Sequence, residues 1–373
     1  MRILIVLHSI NKSLGLEWLT DGLLKQGQSL SFVLLNGGES EMEAFLLSKR
    51  IPVVRLSYNS KIQAPLLLLK LCGVIKRFKP DVVHTHLRNA DIYGQLAAYL
   101  CRVKSRISTR HYSTLNHLYY SKAVVVDKLI NSLATDIVAI SEVTKKVLID
   151  MEQVDIRKVC LIHHGFDLES FRRVDSERID RLNKKYDFPA NSVKVGVFAR
   201  YIHLKGYQYI IPALGELKRK YPELHFIFAN AVGDYTKEIK TLIAEHLPPG
   251  SCTEIAFEND IQAFYKVLDI YIHAPIDKTV EAFGQTYVEA LASGVPSVFT
   301  LSGVANEFIV HERNALVVPY QDSKAIADAV DRLLKDDALR AHLSANGAED
   351  VKRFSLNKFI EQHLRLYQTS LQK

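Results

Sequence analysis

The sequence predicts an α/β protein built from two doubly wound, Rossmann-like domains. Three observations support this prediction. Short apolar runs, typical of strands that are buried on both faces, alternate with segments of helical length and composition, as in parallel sheets. The alternation stops at a polar, charged segment, residues 172–192, and then starts again. A chain of 373 residues is also too long for one comfortable hydrophobic core.

The strands are predicted in two series. In the first half they are residues 2–8, 31–36, 53–57, 81–86, 105–111, 136–141 and 158–165. In the second half they are residues 193–200, 224–230, 252–257, 270–275, 295–300 and 315–319. A helix from about Leu16 to Lys25 follows the first strand, and a helical tail spans about residues 356–371.

These elements predict three regions along the chain. Residues 1–175 are assigned to an N-terminal domain and residues 190–353 to a C-terminal domain, with the polar segment as the joint between them. Residues 354–373 are expected to form a helix that packs back on the N-terminal domain. Two such domains are expected to face a central cleft, because doubly wound sheets bind ligands at the carboxyl ends of their strands.

The composition is that of an ordinary soluble protein of the cytoplasm. The four cysteines are scattered without paired spacing, which favours reduced thiols over disulfides or a zinc site. The opening MRILIVLHSI turns polar too early for a secretory leader. The sequence also has no uninterrupted apolar stretch of about 18 residues, so no membrane-spanning helix is expected.

Positive charge is concentrated in the first half. Residues 1–180 contain 25 Lys and Arg against 18 Asp and Glu, so the whole net charge of +7 lies there. Between Glu43 and Asp81 there are basic residues and no acid, and the run APLLLLKLCGVIKRFKP is expected to form an amphipathic or buried helix. This charge predicts an anionic partner, such as a phospholipid surface, a lipid phosphate or nucleic acid. A solvated helix face explains it equally well.

Two loops carry candidate phosphate-binding residues. Gly15 stands at the entrance of the first helix, where backbone N–H groups can face an anion, although the GxGxxG pattern is missing. Arg200 and Lys205 follow a predicted strand, and two cations on its carboxyl side can neutralise a diphosphate. The alternatives are an ordinary strand-to-helix turn and a pair of solvated charges.

The stretch EAFGQTYVEALASGVP, residues 281–296, combines a loop, a glycine turn and a helix. Glu281 precedes the turn, Glu289 lies in the helix, and Gly294 and Pro296 are its stop signals. Carboxylates at this edge can accept hydrogen bonds from sugar hydroxyls. Two exposed helical acids would explain neither the loop nor the spacing.

A His-x-His pair lies in the fourth predicted strand. His84 and His86 share a face of that strand and could bind a metal ion. A third ligand at a plausible spacing is missing. The spacing therefore favours strand-end histidines near the cleft.

The stretch from Glu281 to Thr300 resembles the E-x7-E signature of the retaining glycosyltransferases of family 4 (glycosyltransferase group 1), which have the two-domain GT-B fold. The resemblance covers nearly the whole chain. It includes HTHLRNADIYG (84–94), STRHYS (108–113), HHGFDLESF (163–171) and VFARYIHLKG (197–206). The first loop departs from the family pattern, because Leu14-Gly15 offers one glycine where two are usual.

The resemblance implies a role for each matching residue. Glu281 would approach the hydroxyls of the donor sugar, and Glu289 would bind the ribose hydroxyls. Arg200 and Lys205 would hold the diphosphate with help from the Gly15 amide. His111, after the fifth strand, would lie near the reacting sugar. The sugar and diphosphate would be held by the backbone of the turn, which consists of Phe283, Gly284, Gln285 and Thr286.

The resemblance implies transfer of a sugar, with retention of configuration, from a UDP- or GDP-sugar to a hydroxyl of a glycan or lipid-linked acceptor. Envelope polysaccharide or lipopolysaccharide synthesis is the expected context. No metal or other cofactor is expected, because Arg200 and Lys205 replace the divalent ion. Loops around residues 58–65 and 112–123 are expected to select the acceptor.

The leading hypothesis is a cytoplasmic enzyme at the inner face of a membrane, with no nucleic acid as a partner. The basic stretch of residues 49–79, with its apolar run, predicts an anionic membrane surface as a further partner. Two alternatives stay open. One is a non-catalytic GT-B subunit that binds a partner glycosyltransferase. The other is a nucleotide-sugar 2-epimerase, since such enzymes share the GT-B architecture.

Overall fold

The structure is a computed structural model that describes residues 1–58 and 61–373. The chain divides into two compact units. The first unit contains residues 1–166 and 354–373, and the second contains residues 167–353. Residues 59 and 60, in the predicted acceptor loop, lie outside the described residues.

The first unit is built on a seven-stranded parallel sheet. Its strands are β1 (Arg2–His8), β2 (Ser29–Leu35), β3 (Val53–Arg55), β4 (Val82–His86), β5 (Ser105–Arg110), β6 (Asp136–Ala139) and β7 (Val159–Leu161). Their order in the sheet is β3-β2-β1-β4-β5-β6-β7. The connecting helices are α1 (Leu14–Lys25), α2 (Glu41–Ser48), α3 (Ala64–Phe78), α4 (Arg88–Leu100), α5 (Leu115–Tyr119), α6 (Ser121–Leu133) and α7 (Glu142–Lys146), and a π-helical turn, Val147–Met151, continues α7.

The second unit is built on a six-stranded parallel sheet. Its strands are β8 (Val193–Phe198), β9 (Leu224–Ala229), β10 (Cys252–Ile255), β11 (Ile270–His273), β12 (Ser297–Phe299) and β13 (Leu316–Val317), in the order β10-β9-β8-β11-β12-β13. Its helices are α8 (Leu168–Arg172), α9 (Ser176–Lys185), α10 (Tyr207–Lys220), α11 (Thr236–His246), α12 (Ile261–Lys266), α13 (Gln285–Ala292), α14 (Ala305–Phe308), α15 (Ser323–Lys335) and α16 (Asp337–Asp350).

Every predicted strand is present, and the pairings are parallel, as the alternation of strands and helices predicted. The burial of the strands explains why apolar runs in the sequence predicted them. In β1, near the centre of the first sheet, the side chains from Ile3 to Leu7 have no exposed surface. Parallel sheets carry helices on both faces, so their strands are apolar on both sides rather than alternating.

The polar segment 172–192 is not a joint between domains, and this prediction is corrected. Its middle forms α9, which packs on α12 within the second unit. Arg178 on α9 donates from Nε to Asp260 Oδ2 (3.0 Å) in the loop before α12. The second unit begins at Asp167, so the boundary predicted at residue 175 lies inside it. The charges that indicated a linker are instead used to attach a helix.

The last helix, α17 (Leu356–Gln372), belongs to the first unit. The Tyr367 hydroxyl lies 2.9 Å from Nδ1 of His84, in the middle of β4. Near the helix end, the Ser370 hydroxyl donates to the buried Asp136 carboxylate (2.6 Å). These polar contacts join α17 to the buried central strands of the sheet.

Helix α3 is amphipathic. Leu67, Leu71 and Ile75 are buried in the core, whereas Leu66 and Leu69 are exposed. In the described part of the chain, no helix combines the length and the apolar character needed to cross a bilayer.

Candidate active site

Three loops meet at the carboxyl edge of the second sheet. Strand β11 lies between β8 and β12, and because the three strands are parallel, the loops that follow them leave the sheet on the same edge. Backbone hydrogen bonds join the loops. Ile276 N–H donates to Leu204 O (3.2 Å), and Val304 N–H donates to Phe283 O (2.9 Å). The predicted donor-binding residues of the second unit lie on these loops and on the helix that follows them.

Glu281 is the centre of a largely buried polar cluster. Its carboxylate pairs with the Lys205 ammonium and lies 2.9 Å from His273 Nε2. Its backbone N–H donates to Ser302 Oγ (3.0 Å). Burial opposes ionisation, but Lys205 and His273 outweigh it and hold the pKa of Glu281 well below its usual range. The carboxylate is therefore ionised at neutral pH and can only accept hydrogen bonds.

His273 and Ser302 were not predicted from the sequence. Burial lowers the pKa of the His273 ring in spite of the neighbouring carboxylate, so the ring is neutral at pH 7. Its Nε2 carries the proton, because an ionised carboxylate cannot donate one. The available signal was a histidine at the end of β11, directly before the loop that carries Glu281.

Two glycines allow the loops to approach each other. Gly206 has φ 77°, and a Cβ there would collide with the backbone oxygen of Ala274. Gly284 has φ 87°, and a Cβ there would lie 2.6 Å from the Tyr287 ring. The left-handed backbone and the lack of space both require glycine. Gly206 thereby fixes the turn that carries Lys205, and Gly284 fixes the start of α13.

Helix α13 begins beside Glu281. Gly284 is its N-cap residue, and a Cβ on Gly284 would lie 3.4 Å from Glu281 Cγ. The N–H groups of Gln285 and Thr286, the first two residues of the helix, have no acceptor within it, whereas Tyr287 N–H donates to the carbonyl oxygen of the N-cap residue Gly284 (3.2 Å). Phe283 is buried and anchors the turn. Free N–H groups and the positive end of a helix macrodipole make such a terminus suitable for an anion.

The second glutamate of the motif, Glu289, lies one turn along α13. The Tyr265 hydroxyl donates to Glu289 Oε2 (3.0 Å). Burial raises the pKa of Glu289 to about 7, because this single hydrogen bond does not compensate for the lost hydration. Tyr265 was not predicted from the sequence, and its position on α12 carries no local signal of this contact.

Arg200 lies two residues after the end of β8 and is exposed. It forms no ion pair or side-chain hydrogen bond with any residue in the described ranges. Lys205, on the same loop, pairs with Glu281, and an ammonium has three N–H donors, so it can contact a second anion as well. The loop thus presents a guanidinium and an ammonium at the carboxyl edge of the sheet.

His111 and Gly15 lie in the first unit. His111 follows β5, and its Nε2 lies 3.1 Å from His86 Nδ1, so one ring donates a hydrogen bond to the other. Its ring also stacks on His164, with centroids 5.8 Å apart. Burial lowers the pKa of His111 to about 4. Gly15 is the second residue of α1, in its first turn, and Ser13 is the N-cap residue.

The His-x-His pair is held by contacts within the fold. His84 Nδ1 lies 2.9 Å from the Tyr367 hydroxyl, and His84 Nε2 lies 2.7 Å from the Thr109 hydroxyl. In residues 1–58 and 61–373, no three His, Cys, Asp or Glu side chains form a group that could hold a metal ion. Both nitrogens of His84 are therefore engaged by hydroxyl groups.

Comparison with family models gives two matches that follow the two units. A model described as Glycosyltransferase Family 4 matches residues 17–170. A model described as Glycosyl transferases group 1 matches residues 178–350. Together they cover most of the chain.

Comparison with individual proteins gives relatives of similar length. The capsular polysaccharide biosynthesis glycosyltransferase CapM of Staphylococcus aureus is 23 % identical, over 94 % of this chain and 92 % of its own. The lipopolysaccharide core biosynthesis mannosyltransferase LpsB of Rhizobium meliloti is 31 % identical, over 55 % of this chain and 58 % of its own. The solved structure of Anabaena HepE in complex with UDP-glucose has a TM-score of 0.83 at 22 % identity, over 98 % of this chain and 99 % of that chain. This last likeness concerns the fold.

Proposed function

The chain belongs to glycosyltransferase family 4 and has the GT-B fold, and from this premise we propose that it is a retaining, metal-independent enzyme. It moves a sugar from a nucleotide-sugar donor, a UDP- or GDP-sugar, to a hydroxyl of a glycan or lipid-linked acceptor. CapM and LpsB, named for capsular polysaccharide and lipopolysaccharide core synthesis, support an acceptor of the cell envelope.

The donor is proposed to lie along the carboxyl edge of the second sheet. Arg200 and Lys205 hold its diphosphate, together with the N–H groups at the start of α13. Glu289 accepts hydrogen bonds from the ribose hydroxyls, and Glu281 accepts them from the sugar. Glu281 is already ionised in its surroundings. Glu289, with a pKa of about 7, can be held in its ionised form by the hydrogen bonds that the ligand donates. The Gly15 amide, in the first unit, is proposed as a further donor to a phosphate group.

The transfer step exchanges one bond for another at the anomeric carbon. The bond from that carbon to the diphosphate oxygen breaks, and a bond to the acceptor oxygen forms on the same face. The acceptor proton passes to an oxygen of the departing diphosphate. Arg200 and Lys205 stabilise the negative charge that develops on the leaving group, which is the task of a divalent ion in other enzymes. His111, in the first unit, is a neutral ring and is proposed as a hydrogen-bonding group for a sugar.

The observation that supports this proposal most is the cluster around Glu281. An exposed glutamate would be hydrated and would select no ligand. Glu281 is instead 12 % exposed and ionised, and it lies beside the positive end of α13. A carboxylate in this position accepts hydrogen bonds from hydroxyl groups of a ligand whose anionic part lies on the helix terminus.

The decisive experiment follows release of nucleoside diphosphate from a panel of UDP- and GDP-sugars in EDTA, with a membrane extract as the source of acceptor. Glu281→Gln keeps the shape of the side chain but removes the charge that pairs with Lys205. We expect kcat to fall by roughly 10²–10³-fold, as for loss of one preorganised polar contact to a transition state. The dissociation constant of the nucleoside diphosphate should hardly change.

The matched control is Glu223→Gln, an exposed glutamate of the second unit before β9, which should leave turnover unchanged. Full activity of Glu281→Gln would contradict the site assignment. Donor binding without turnover would favour a non-catalytic subunit, and conversion of the donor sugar to its C2 epimer would identify an epimerase. NMR of the product anomer tests retention of configuration.

Peripheral association with the inner face of a membrane is the remaining part of the proposal. Leu66 and Leu69 on α3 are exposed, and the exposed Lys70 and Arg77 follow on the same helix. Apolar and basic side chains on one helix face suit the interface of an anionic bilayer. Flotation with phosphatidylglycerol vesicles tests this, and Leu66→Gln with Leu69→Gln should reduce the bound fraction. Equal flotation of the variant would contradict it.

A further inference from the structure

A cavity of about 560 Å³ opens at the amino edge of the first sheet. Its walls include residues that begin or precede three neighbouring strands. Arg2 begins β1, Asp81 precedes β4, and Lys104 precedes β5. His111 follows the other end of β5, so at about 3.3 Å per residue the cavity lies ~20 Å from that histidine. The cavity is therefore separate from the carboxyl edge, where strand-end ligands bind.

The cavity is lined by cations. These are Arg2, Lys76, Lys79, Arg102 and Lys104. Arg2 pairs with the Asp81 carboxylate (3.1 Å). The other four form no ion pair with any residue in the part of the chain that the structure describes. The buried side chains of Ile75 and Val103 contribute an apolar wall.

Helix dipoles do not account for this charge. Helices α3 and α4 end at the cavity, and Leu371 near the end of α17 also lines it. Cations at helix C-termini are common because they compensate the macrodipole. Each helix end carries about half a negative charge, so three ends supply about −1.5 against four unpaired positive charges. An excess of about +2.5 remains for a ligand to neutralise.

We propose that this cavity binds a phosphate-bearing anion at a site distinct from the proposed donor site. Lysines and arginine recognise phosphate oxygens by charge-assisted hydrogen bonds. The apolar wall lowers the local dielectric and strengthens each of these interactions. The volume lies within the range of small-ligand sites. The phosphate belongs either to a lipid headgroup or to a soluble diphosphate, and this inference does not rest on the proposed glycosyl transfer.

The test removes two of the cations, with Lys76→Gln and Lys104→Gln. Both side chains are exposed. Lys79 and Arg102 are left in place because their backbones have φ 46° and 56°, where a substitution could disturb the turn. The control pair is Lys122→Gln with Lys128→Gln, two exposed lysines on α6 of the same unit that do not line the cavity.

Two probes distinguish the sources of phosphate. Inorganic pyrophosphate is titrated calorimetrically in an Arg200→Gln/Lys205→Gln background, which removes the cations of the proposed donor site. Vesicles of phosphatidylglycerol are compared with neutral phosphatidylcholine vesicles by flotation. For the cavity pair we expect binding to weaken about fivefold per lysine, about 25-fold in total, and for the control pair almost no change.

Loss of pyrophosphate binding identifies a soluble ligand, and loss with phosphatidylglycerol vesicles alone identifies a lipid headgroup. Either result supports the proposal. If the cavity variant binds both probes as well as the control variant does, the proposal is overturned, because the charge then acts only as a diffuse surface field. Melting temperatures of the two variants establish that both are folded.

Discussion

Glu281 and Glu289 stand on either side of the start of α13, and their surroundings favour opposite protonation states. Lys205 and His273 hold the pKa of Glu281 low, whereas burial raises the pKa of Glu289 to about 7. A carboxyl group with a pKa near neutrality can change its charge when a ligand donates hydrogen bonds to it. Glu289 is therefore the residue at which pH should control donor binding.

We expect the affinity for a nucleoside diphosphate to weaken as the pH falls below about 7. In the proposed site, ribose hydroxyls donate to the ionised carboxylate, so binding would lower the pKa of Glu289. By linkage, the contribution of Glu289 is complete above the pKa of the free site and is lost by up to tenfold per pH unit below it. Calorimetric titration between pH 5.5 and 8 measures this.

The control for this prediction is Glu289→Gln, which cannot ionise. The phosphate of the nucleotide itself titrates near pH 6, so the informative quantity is the ratio of wild-type to variant affinity at each pH. A ratio that grows with pH supports the ribose role of Glu289. A ratio that is constant from pH 5.5 to 8 would show that its carboxylate does not contact the ligand.

Gly284 allows a second prediction, which separates backbone strain from steric collision. Gly284 and Gly250 have similar φ angles, 87° and 78°, but beyond its chain neighbours no described atom lies within 4 Å of a Cβ on Gly250. Gly250→Ala should cost about 1–2 kcal/mol of stability through the left-handed backbone, with turnover unchanged. Gly284→Ala should cost more and also lose donor turnover, because its Cβ meets the Tyr287 ring and displaces the start of α13.

Thermal unfolding and donor turnover of the two alanine variants check this prediction. Equal losses of stability, together with full turnover of Gly284→Ala, would show that the close approach at the α13 start is not needed for activity. A selective loss of turnover in Gly284→Ala would support the proposed place of the diphosphate.

Among single residues, the sequence predicted the candidate site residues of the second unit but not the side chains that contact them. Lys205 and Glu281 each follow a strand, which local sequence indicates. Their ion pair depends on β8 and β11 being neighbours in the sheet, although β9 and β10 separate them in the chain. Strand order is decided by the packing of whole elements, so no local pattern predicted that His273 and Tyr265 would contact the two glutamates.

At the scale of elements, a stack of buried histidines connects β4 to α17. The His84 ring lies 4.2 Å from the His86 ring and 5.8 Å from the His363 ring, measured between centroids. Burial lowers the pKa of all three, and of His111 and His164 as well. The rings are therefore neutral at pH 7 and pack as polar but uncharged groups.

We expect the stability of the first unit to fall as the pH falls from about 6.5 toward 4. Unfolded histidines titrate near 6.5, so between these pH values the unfolded chain binds more protons than the folded chain. Each histidine contributes up to about 1.4 kcal/mol per pH unit to this loss. Asp91, whose pKa burial raises to about 7, acts in the opposite direction, but five histidines outweigh it.

Urea unfolding at pH 7, 6 and 5 measures this slope. His363→Gln removes one titrating ring from the stack and should flatten the slope by about one proton. His342→Gln, an exposed histidine on α16, is the control and should leave the slope unchanged. Equal slopes for wild type and His363→Gln would contradict the role of the stack.

The strands could be predicted from the sequence, whereas helix α9 could not. A strand such as β1 is buried on both faces, so its apolar run is its own signal. Helix α9 is highly charged, and Leu182 is its only buried residue. It is attached in part by ion pairs, such as Arg178 with Asp260, whose partners are far away in the sequence. Charge that is paired in the folded state resembles charge in a linker when only the sequence is read.

At the scale of the whole molecule, the two units differ in charge. The first unit contains 25 Lys and Arg against 14 Asp and Glu, a formal net charge of +11, and the second contains 23 against 27, a net charge of −4. The long-range attraction for anions therefore belongs to the first unit. In the second unit, the proposed binding of a diphosphate would depend on the local arrangement of Arg200, Lys205 and the start of α13 rather than on the overall field.

Because the proposed diphosphate site lies in the second unit, a donor nucleotide should stabilise that unit. A ligand that binds only the folded state adds about 2.7 kcal/mol at 100 times its dissociation constant. For a unit of this size that corresponds to a rise of roughly 5–10 °C in melting temperature. We expect one nucleotide family, UDP or GDP, to raise the transition of the second unit. The rise should persist in EDTA, because Arg200 and Lys205 supply the positive charge.

The variant Arg200→Gln/Lys205→Gln should lose this rise, whereas the cavity variant Lys76→Gln/Lys104→Gln should keep it. A rise that disappears in EDTA would contradict metal independence, since a metal ion carried by the diphosphate would then supply the charge. A rise that survives both EDTA and the loss of Arg200 and Lys205 would place the nucleotide elsewhere on the chain. This melting experiment therefore tests separately whether Arg200 and Lys205 bind the nucleotide, whether a metal ion is needed, and whether the nucleotide binds at the proposed site.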